Sequence, residues 1–124
     1  MLDNGIVEPS NSEFSSTPVL VRKKDGAVRF CIDYRKLNKK TIKDSYPLFR
    51  ISEAIDSIGR DAKIFTTLDL TMGYHHVPIA EEDKQKTAFP SRLELLQYTA
   101  MPFGLTNGLA TFQRLMERVL AHMN

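Results

Sequence analysis

Apolar and polar positions alternate at Val19, Val21, Val28, Phe30 and Ile32, on either side of Asp25-Gly26. That pattern predicts a β-hairpin, because Asp-Gly readily supplies the positive φ angles of a tight turn. Before it, residues 1–16 carry Pro9 and four serines and read as an irregular lead-in. After it, residues 39–47 are polar and close on Pro47, which predicts a loop. Ile51, Ala54, Ile55 and Ile58 then fall at helical spacing, with Gly59 as the stop. Ile64 to Leu70 is rich in β-branched and aromatic residues and predicts a buried strand that Gly73 breaks. Short strands are expected near 76–79, 86–89 and 95–101, the first two bridged by an acidic turn at Glu81-Glu82-Asp83. A last helix is expected to open at Thr106 or Asn107 as cap. Its apolar stripe is Leu109, Phe112, Met116, Val119, Leu120 and Met123. The expected helix runs to Asn124 without a following turn or partner, so the chain reads as cut.

Composition adds limits. The 124 residues suit one domain, 42% of them hydrophobic and 26% charged. No apolar run approaches the roughly 20 residues that cross a bilayer, and the N-terminus lacks a secretory signal pattern. Cys31 stands alone, which excludes an internal disulfide and points to a reducing, intracellular setting. Its apolar surroundings read as those of a small core residue. Net charge is only +2, but it is unevenly placed. Nine bases lie between Arg22 and Lys43 against two acids, Asp25 and Asp33. Such segregation points to a phosphate-bearing partner; charge alone leaves a solvated lysine-rich surface equally open.

Asp69 is the residue that most needs a reason. A carboxylate near the end of an apolar strand costs several kcal/mol unless it is paired, hydrated or metal-bound. It could cap the turn Thr71 to Tyr74, or it could hold a metal at a strand end as phosphoryl-transfer sites require. His75 and His76, adjacent on an expected strand, would point to opposite faces and could not chelate one metal together.

Three stretches then become informative together. Leu68-Asp69-Leu70-Thr71-Met72-Gly73-Tyr74-His75 resembles the first catalytic motif of gypsy-class reverse transcriptases of LTR retrotransposons. Met101-Pro102-Phe103-Gly104-Leu105-Thr106-Asn107, followed by Ala110-Thr111-Phe112-Gln113, resembles a later palm motif of that family. Val21-Arg22-Lys23-Lys24-Asp25-Gly26, with Cys31-Ile32-Asp33-Tyr34-Arg35-Lys36-Leu37-Asn38, resembles its fingers hairpin. The similarity runs from about Gly5 to Leu120, in order and at family spacing.

The resemblance implies an α+β fold: a fingers β-hairpin plus a partial, truncated polymerase palm, an antiparallel sheet with packed helices. About residues 17–63 would be fingers, and about 64–124 an incomplete palm with some fingers strands. It implies an RNA-directed DNA polymerase using Mg²⁺, with Asp69 catalytic and metal-binding and the Leu70 carbonyl completing one coordination shell. Lys23 and Arg29 would reach the triphosphate, which suits a point charge and a planar fork. Met72 and Gly73 backbone would line the triphosphate, and glycine permits close approach. Tyr74 would exclude a 2′-hydroxyl, while Phe103 and Gly104 would border the nucleotide pocket. Asn107 to Gln113 would lie along the template–primer. The partners implied are RNA or DNA template–primer and deoxynucleotides, with no membrane. The setting is intracellular: cytoplasm, virus-like particles or nucleus.

Departures from the family pattern also stand out. Met72 replaces a small Ser or Ala, Gly108-Leu109 replace Ala-Pro, Glu94 replaces Gly and Phe49 replaces Pro. They read as a decayed or repurposed copy. The family's aromatic-x-Asp-Asp hairpin, expected some tens of residues beyond Gln113, does not occur in these 124 residues. Two Mg²⁺ ions about 4 Å apart repel by roughly 16 kcal/mol at an effective dielectric of about 20, more than one carboxylate and a nucleotide offset. The polypeptide alone is therefore expected to be inactive, and an unpaired sheet edge is expected to drive self-association. The alternative reading is a domesticated or relic fragment that binds nucleic acid or a protein partner.

Overall fold

Two strands, β2 (Thr17–Arg22) and β3 (Val28–Asp33), form the expected antiparallel hairpin, with Val19 opposite Cys31 and Val21 opposite Arg29. The Gly26 amide donates to the Lys23 carbonyl at 3.0 Å, and Lys23 and Ala27 pair across the loop at 2.7 Å. Gly26 has φ +87°, so the three-residue loop ends on a left-handed residue, as such hairpins need. The computed structural model describes residues 4–48 and 50–121. Phe49 and Met123, both singled out above, lie outside them.

A second sheet is antiparallel in the order β1-β5-β4: β1 (Val7–Pro9), β4 (Phe89–Pro90) and β5 (Leu95–Tyr98). The lead-in is therefore partly a strand, Val7 pairing with Tyr98 and Pro9 with Leu96. Three residues carry too little periodicity to announce this. The core lies where the two sheets meet and consists of Val7, Ile32, Tyr34, Phe89, Leu96 and Tyr98.

Tyr34 ties the hairpin to the second sheet. It is 2% exposed, and its hydroxyl donates to the Thr87 carbonyl at 2.8 Å. Burial, and then neighbouring Tyr98, push the phenol upward from its ordinary value, so it stays a donor. The Thr87 hydroxyl in turn accepts the Tyr98 amide at 2.9 Å. Tyr34→Phe should cost about 1–3 kcal/mol, because it strips a buried carbonyl of its donor. Denaturant titration would read the loss; an unchanged midpoint would mean that water replaces the hydroxyl.

The helices are α1 (Arg35–Lys40), α2 (Ile51–Ser57) and α3 (Gly108–Leu120). The predicted helix after Pro47 is α2, although Ile58 caps it in an extended conformation and Gly59 has no left-handed φ. The predicted final helix is α3. The short α1 occupies the start of the expected loop; its single apolar residue, Leu37, leaves no period to read.

The expected strand at Ile64–Leu70 does not form. The segment is irregular, with Ile64 89%, Phe65 63% and Leu68 77% exposed. A strand is buried only if another pairs with its edge, and none of the described residues does. Near 76–79 only a Pro78–Ala100 bridge appears, preceded by a 3-10 segment, Gly73–His76. The acidic turn opens a second 3-10 segment, Glu81–Thr87, which takes the first half of the strand expected at 86–89 and leaves Phe89 to begin β4. Three acids at its start favour that geometry, and Lys84–Glu81 and Lys86–Asp83 pairs at 2.7 and 2.6 Å staple it. The expected strand at 95–101 shortens to β5 plus the bridge at Ala100.

Candidate functional site

Asp69, Leu70, Met72, Gly73, Tyr74 and Phe103 converge on one pocket of about 690 Å³, with Phe112 and Met116 of α3 forming its other wall. An aromatic stack holds it together. The Tyr74 ring centroid lies 5.0 Å from that of Phe103 and 5.3 Å from that of Phe112, separations typical of favourable offset pairs.

Gly73 has a packing reason to be glycine: a Cβ there would sit 3.0 Å from Phe112 Cζ. The residue before it is more unusual. Met72 has φ +53°, the left-handed region that costs a non-glycine residue of order 1–2 kcal/mol. Its carbonyl accepts the His75 amide at 2.9 Å and so starts the 3-10 segment. That turn is closed by backbone alone, with no side-chain cap. The two histidines lie within this segment, not on a strand. His76 Nε2 is 3.2 Å from the Thr71 carbonyl, and the His75 ring packs 6.1 Å from Phe103. Burial, then His76, lower the His75 pKa.

Asp69 is exposed and is the only acidic side chain among the described residues lining the pocket. Among the described residues no group of three or more His, Cys, Asp or Glu is placed to hold a metal ion. A two-metal centre needs several carboxylates. The residues described therefore do not fit one by themselves.

Gly104 has φ +93°, and Asn38 of α1 fixes the backbone around it. Asn38 Nδ2 donates to the Gly104 carbonyl at 2.8 Å, and Asn38 Oδ1 accepts the Thr106 amide at 2.9 Å. The sequence gives Asn38 no site role of its own, although it ends the stretch that resembles the family's fingers hairpin. Asn107 precedes α3 but does not cap it with its side chain. It reaches instead to the Ile42 carbonyl at 2.8 Å and the Asp44 amide at 2.9 Å. With Asn38 and Thr106, Asn107 lines a second cavity of about 660 Å³. Gln113 is half-buried on α3 and outside both cavities. Lys23 and Arg29 also lie outside both, on the hairpin. Neither they nor Lys24 join an ion pair among the described residues, whereas Arg35 pairs with Asp33 at 2.7 Å.

Residues 21–124 match the family described as reverse transcriptase (RNA-dependent DNA polymerase). The retrovirus-related Pol polyproteins of the Drosophila melanogaster transposons 297 and gypsy are 42% and 41% identical to the chain over 97% of its length. The chain spans 12% of each polyprotein. The prototype foamy virus protease–reverse transcriptase superposes with a TM-score of 0.87 at 30% identity, covering 99% of this chain and 16% of that one. A complex of the foamy viral enzyme with double-stranded DNA matches with a TM-score of 0.79 at 25% identity, covering 97% of this chain and 25% of that one. The α+β arrangement of hairpin, sheet and helices is thus that of reverse transcriptase fingers and palm. The chain belongs to the reverse transcriptase family, on its gypsy-class retrotransposon branch.

Proposed function

We propose that the chain supplies the nucleotide-binding half of an RNA-directed DNA polymerase site. The pocket in which Asp69, Gly73, Tyr74 and Phe103 converge carries this reading. About residues 17–63 serve as fingers, and about 64–124 as an incomplete palm with some fingers strands. Tyr74, wedged between Phe103 and Phe112, has little freedom to yield, which suits a steric gate against a ribose 2′-hydroxyl. Gly104, fixed by Asn38, borders the base, and Met72 and Gly73 present backbone to the triphosphate. Lys23 and Arg29 close on that triphosphate from the hairpin. Asn107 and Gln113 follow the template–primer, which is RNA or DNA.

The complete enzyme joins a primer 3′-hydroxyl to the α-phosphate of a deoxynucleotide and releases pyrophosphate. In that enzyme Asp69 and the Leu70 carbonyl would help to hold Mg²⁺ together with further carboxylates, and the metal would supply charge stabilisation for the transferred phosphate. The setting is the cytoplasm, virus-like particles or the nucleus. Among the described residues no helix is long and apolar enough to cross a membrane. The unpaired segment 64–70 supports self-association of the isolated polypeptide.

A second reading, a non-enzymatic nucleic-acid-binding role, is favoured by the unpaired bases of the hairpin and the lone carboxylate. Primer extension separates the two. The 124-residue polypeptide should incorporate nothing above background with Mg²⁺ and four deoxynucleotides. A polypeptide extended through the aromatic-x-Asp-Asp hairpin should extend primers and lose at least about a thousandfold in rate on Asp69→Asn. Incorporation by the 124-residue form that vanishes in Asp69→Asn would overturn the first expectation. An extended form indifferent to Asp69→Asn would sink the polymerase reading.

A further inference from the structure

Between α1 and α2 the chain runs through an irregular stretch, 41–48, that is fastened to α3 at three points. Asn107, at the start of α3, accepts the Asp44 amide. Arg114, two turns along, gives Nη2 to both Asp44 oxygens at 2.9 and 3.1 Å, and its guanidinium lies 4.5 Å over the Tyr46 ring. Glu117, a further turn along, accepts the Tyr46 hydroxyl on Oε2. Asp44 and Arg114 thus fix where the Tyr46 ring lies, and the ring fixes where its hydroxyl points.

The other oxygen of Glu117 is also taken. Gln113 Nε2 donates to Oε1 at 3.1 Å, across one helical turn. With both oxygens engaged, the Glu117 carboxylate cannot rotate without breaking a bond. Gln113 is then held by its nitrogen, and its carboxamide oxygen has no partner among the described residues. Exocyclic amino groups in a minor groove and ribose 2′-hydroxyls are donors that such an oxygen can meet.

We propose that Tyr46 is a positioning residue for template–primer contact: it fixes Glu117, and Glu117 orients the Gln113 carboxamide so that its oxygen accepts from the nucleic acid. This rests on the reading above, in which Gln113 follows the template–primer. A purely structural Tyr46 would only stitch the 41–48 segment to α3.

Tyr46→Phe separates these roles, because it keeps the ring under Arg114 and removes only the hydroxyl. In the 124-residue chain, the Gln113 side-chain amide signals in NMR should move in Tyr46→Phe. The Glu117 carboxyl is held below its ordinary pKa first by the Tyr46 hydroxyl and then by Gln113. Arg114 and Arg118 on α3 are the nearby cations. In Tyr46→Phe the Glu117 midpoint should therefore rise towards the usual carboxylate range. Affinity for an RNA–DNA duplex should fall about three- to tenfold. The same substitution made on top of Gln113→Ala should cost nothing further. Unmoved amide signals, or an undiminished loss in the Gln113→Ala background, would overturn the assignment of Tyr46. No measurable duplex binding by the unsubstituted chain would overturn the broader reading, and this contact with it.

Discussion

Lys23→Glu, Lys24→Glu and Arg29→Glu together are expected to weaken binding to an RNA–DNA duplex by about a hundredfold or more at roughly 0.1 M salt. Each lost phosphate contact forfeits the counterion release that drives it. Three lost contacts should flatten the slope of log affinity against log salt by about 2–3. The control is reversal at Lys84, Lys86 and Arg92. Lys84 already faces Glu81 at 2.7 Å and Glu8 at 3.9 Å, and Lys86 faces Asp83 at 2.6 Å. Those lysines are locally neutralised, so reversing them should change affinity several-fold less. Equal losses from the two triple variants, with similar melting, would show that the hairpin is not the contact surface. Binding itself should be largely independent of sequence, since the basic stretch offers charge without a base-reading set.

The hairpin was legible because two local signals agree there: runs rich in β-branched and aromatic residues on both strands, Val19 to Val21 and Val28 to Ile32, and a turn that a left-handed residue completes. Helix α3 was legible for a similar reason, its apolar period being sustained over three turns. The pocket residues were legible only through the family resemblance. Asp69 alone could have been a turn cap, and the backbone-closed turn at Met72–His76 offers it no such task. What escaped depended on partners far along the chain. The pairing of β1 with β5 joins residues about ninety apart, such as Val7 and Tyr98. Asn38 and Asn107 bond backbone groups of distant loops, and an asparagine in a sequence does not say which carbonyl it will meet.

The stretch 64–70 failed for a more instructive reason. Its composition describes a strand, but a strand is a relation between two segments. Among the described residues the second segment is missing, so the composition has nothing to act on. Ile64, Phe65, Leu68 and Leu70 are left exposed, as are Val119 and Leu120 of α3. Leu68 and Leu70 line the same pocket as Val119 and Leu120, so this is one apolar surface.

That surface should make the isolated 124-residue polypeptide self-associate. Burying four such side chains is worth at most roughly 6–12 kcal/mol, against about 4–15 kcal/mol for lost translational and rotational freedom. The four alone give a near balance. Val119, Leu120 and backbone pairing between the two copies of 64–70 add to it, because an unpaired apolar segment is a template for another chain. Association is expected with a dissociation constant on the order of 10–100 µM, accompanied by a broad melt. Light scattering from a few to several hundred micromolar should show the mass rising with concentration. Phe65→Asp combined with Leu68→Lys should return the chain to a monomer, since each places a charge where a second copy would bury carbon. The opposing picture is that the terminal helix folds over 64–70 in solution and closes the surface within one copy. A mass independent of concentration, together with a sharp cooperative melt, would establish that picture and remove the reason for self-association.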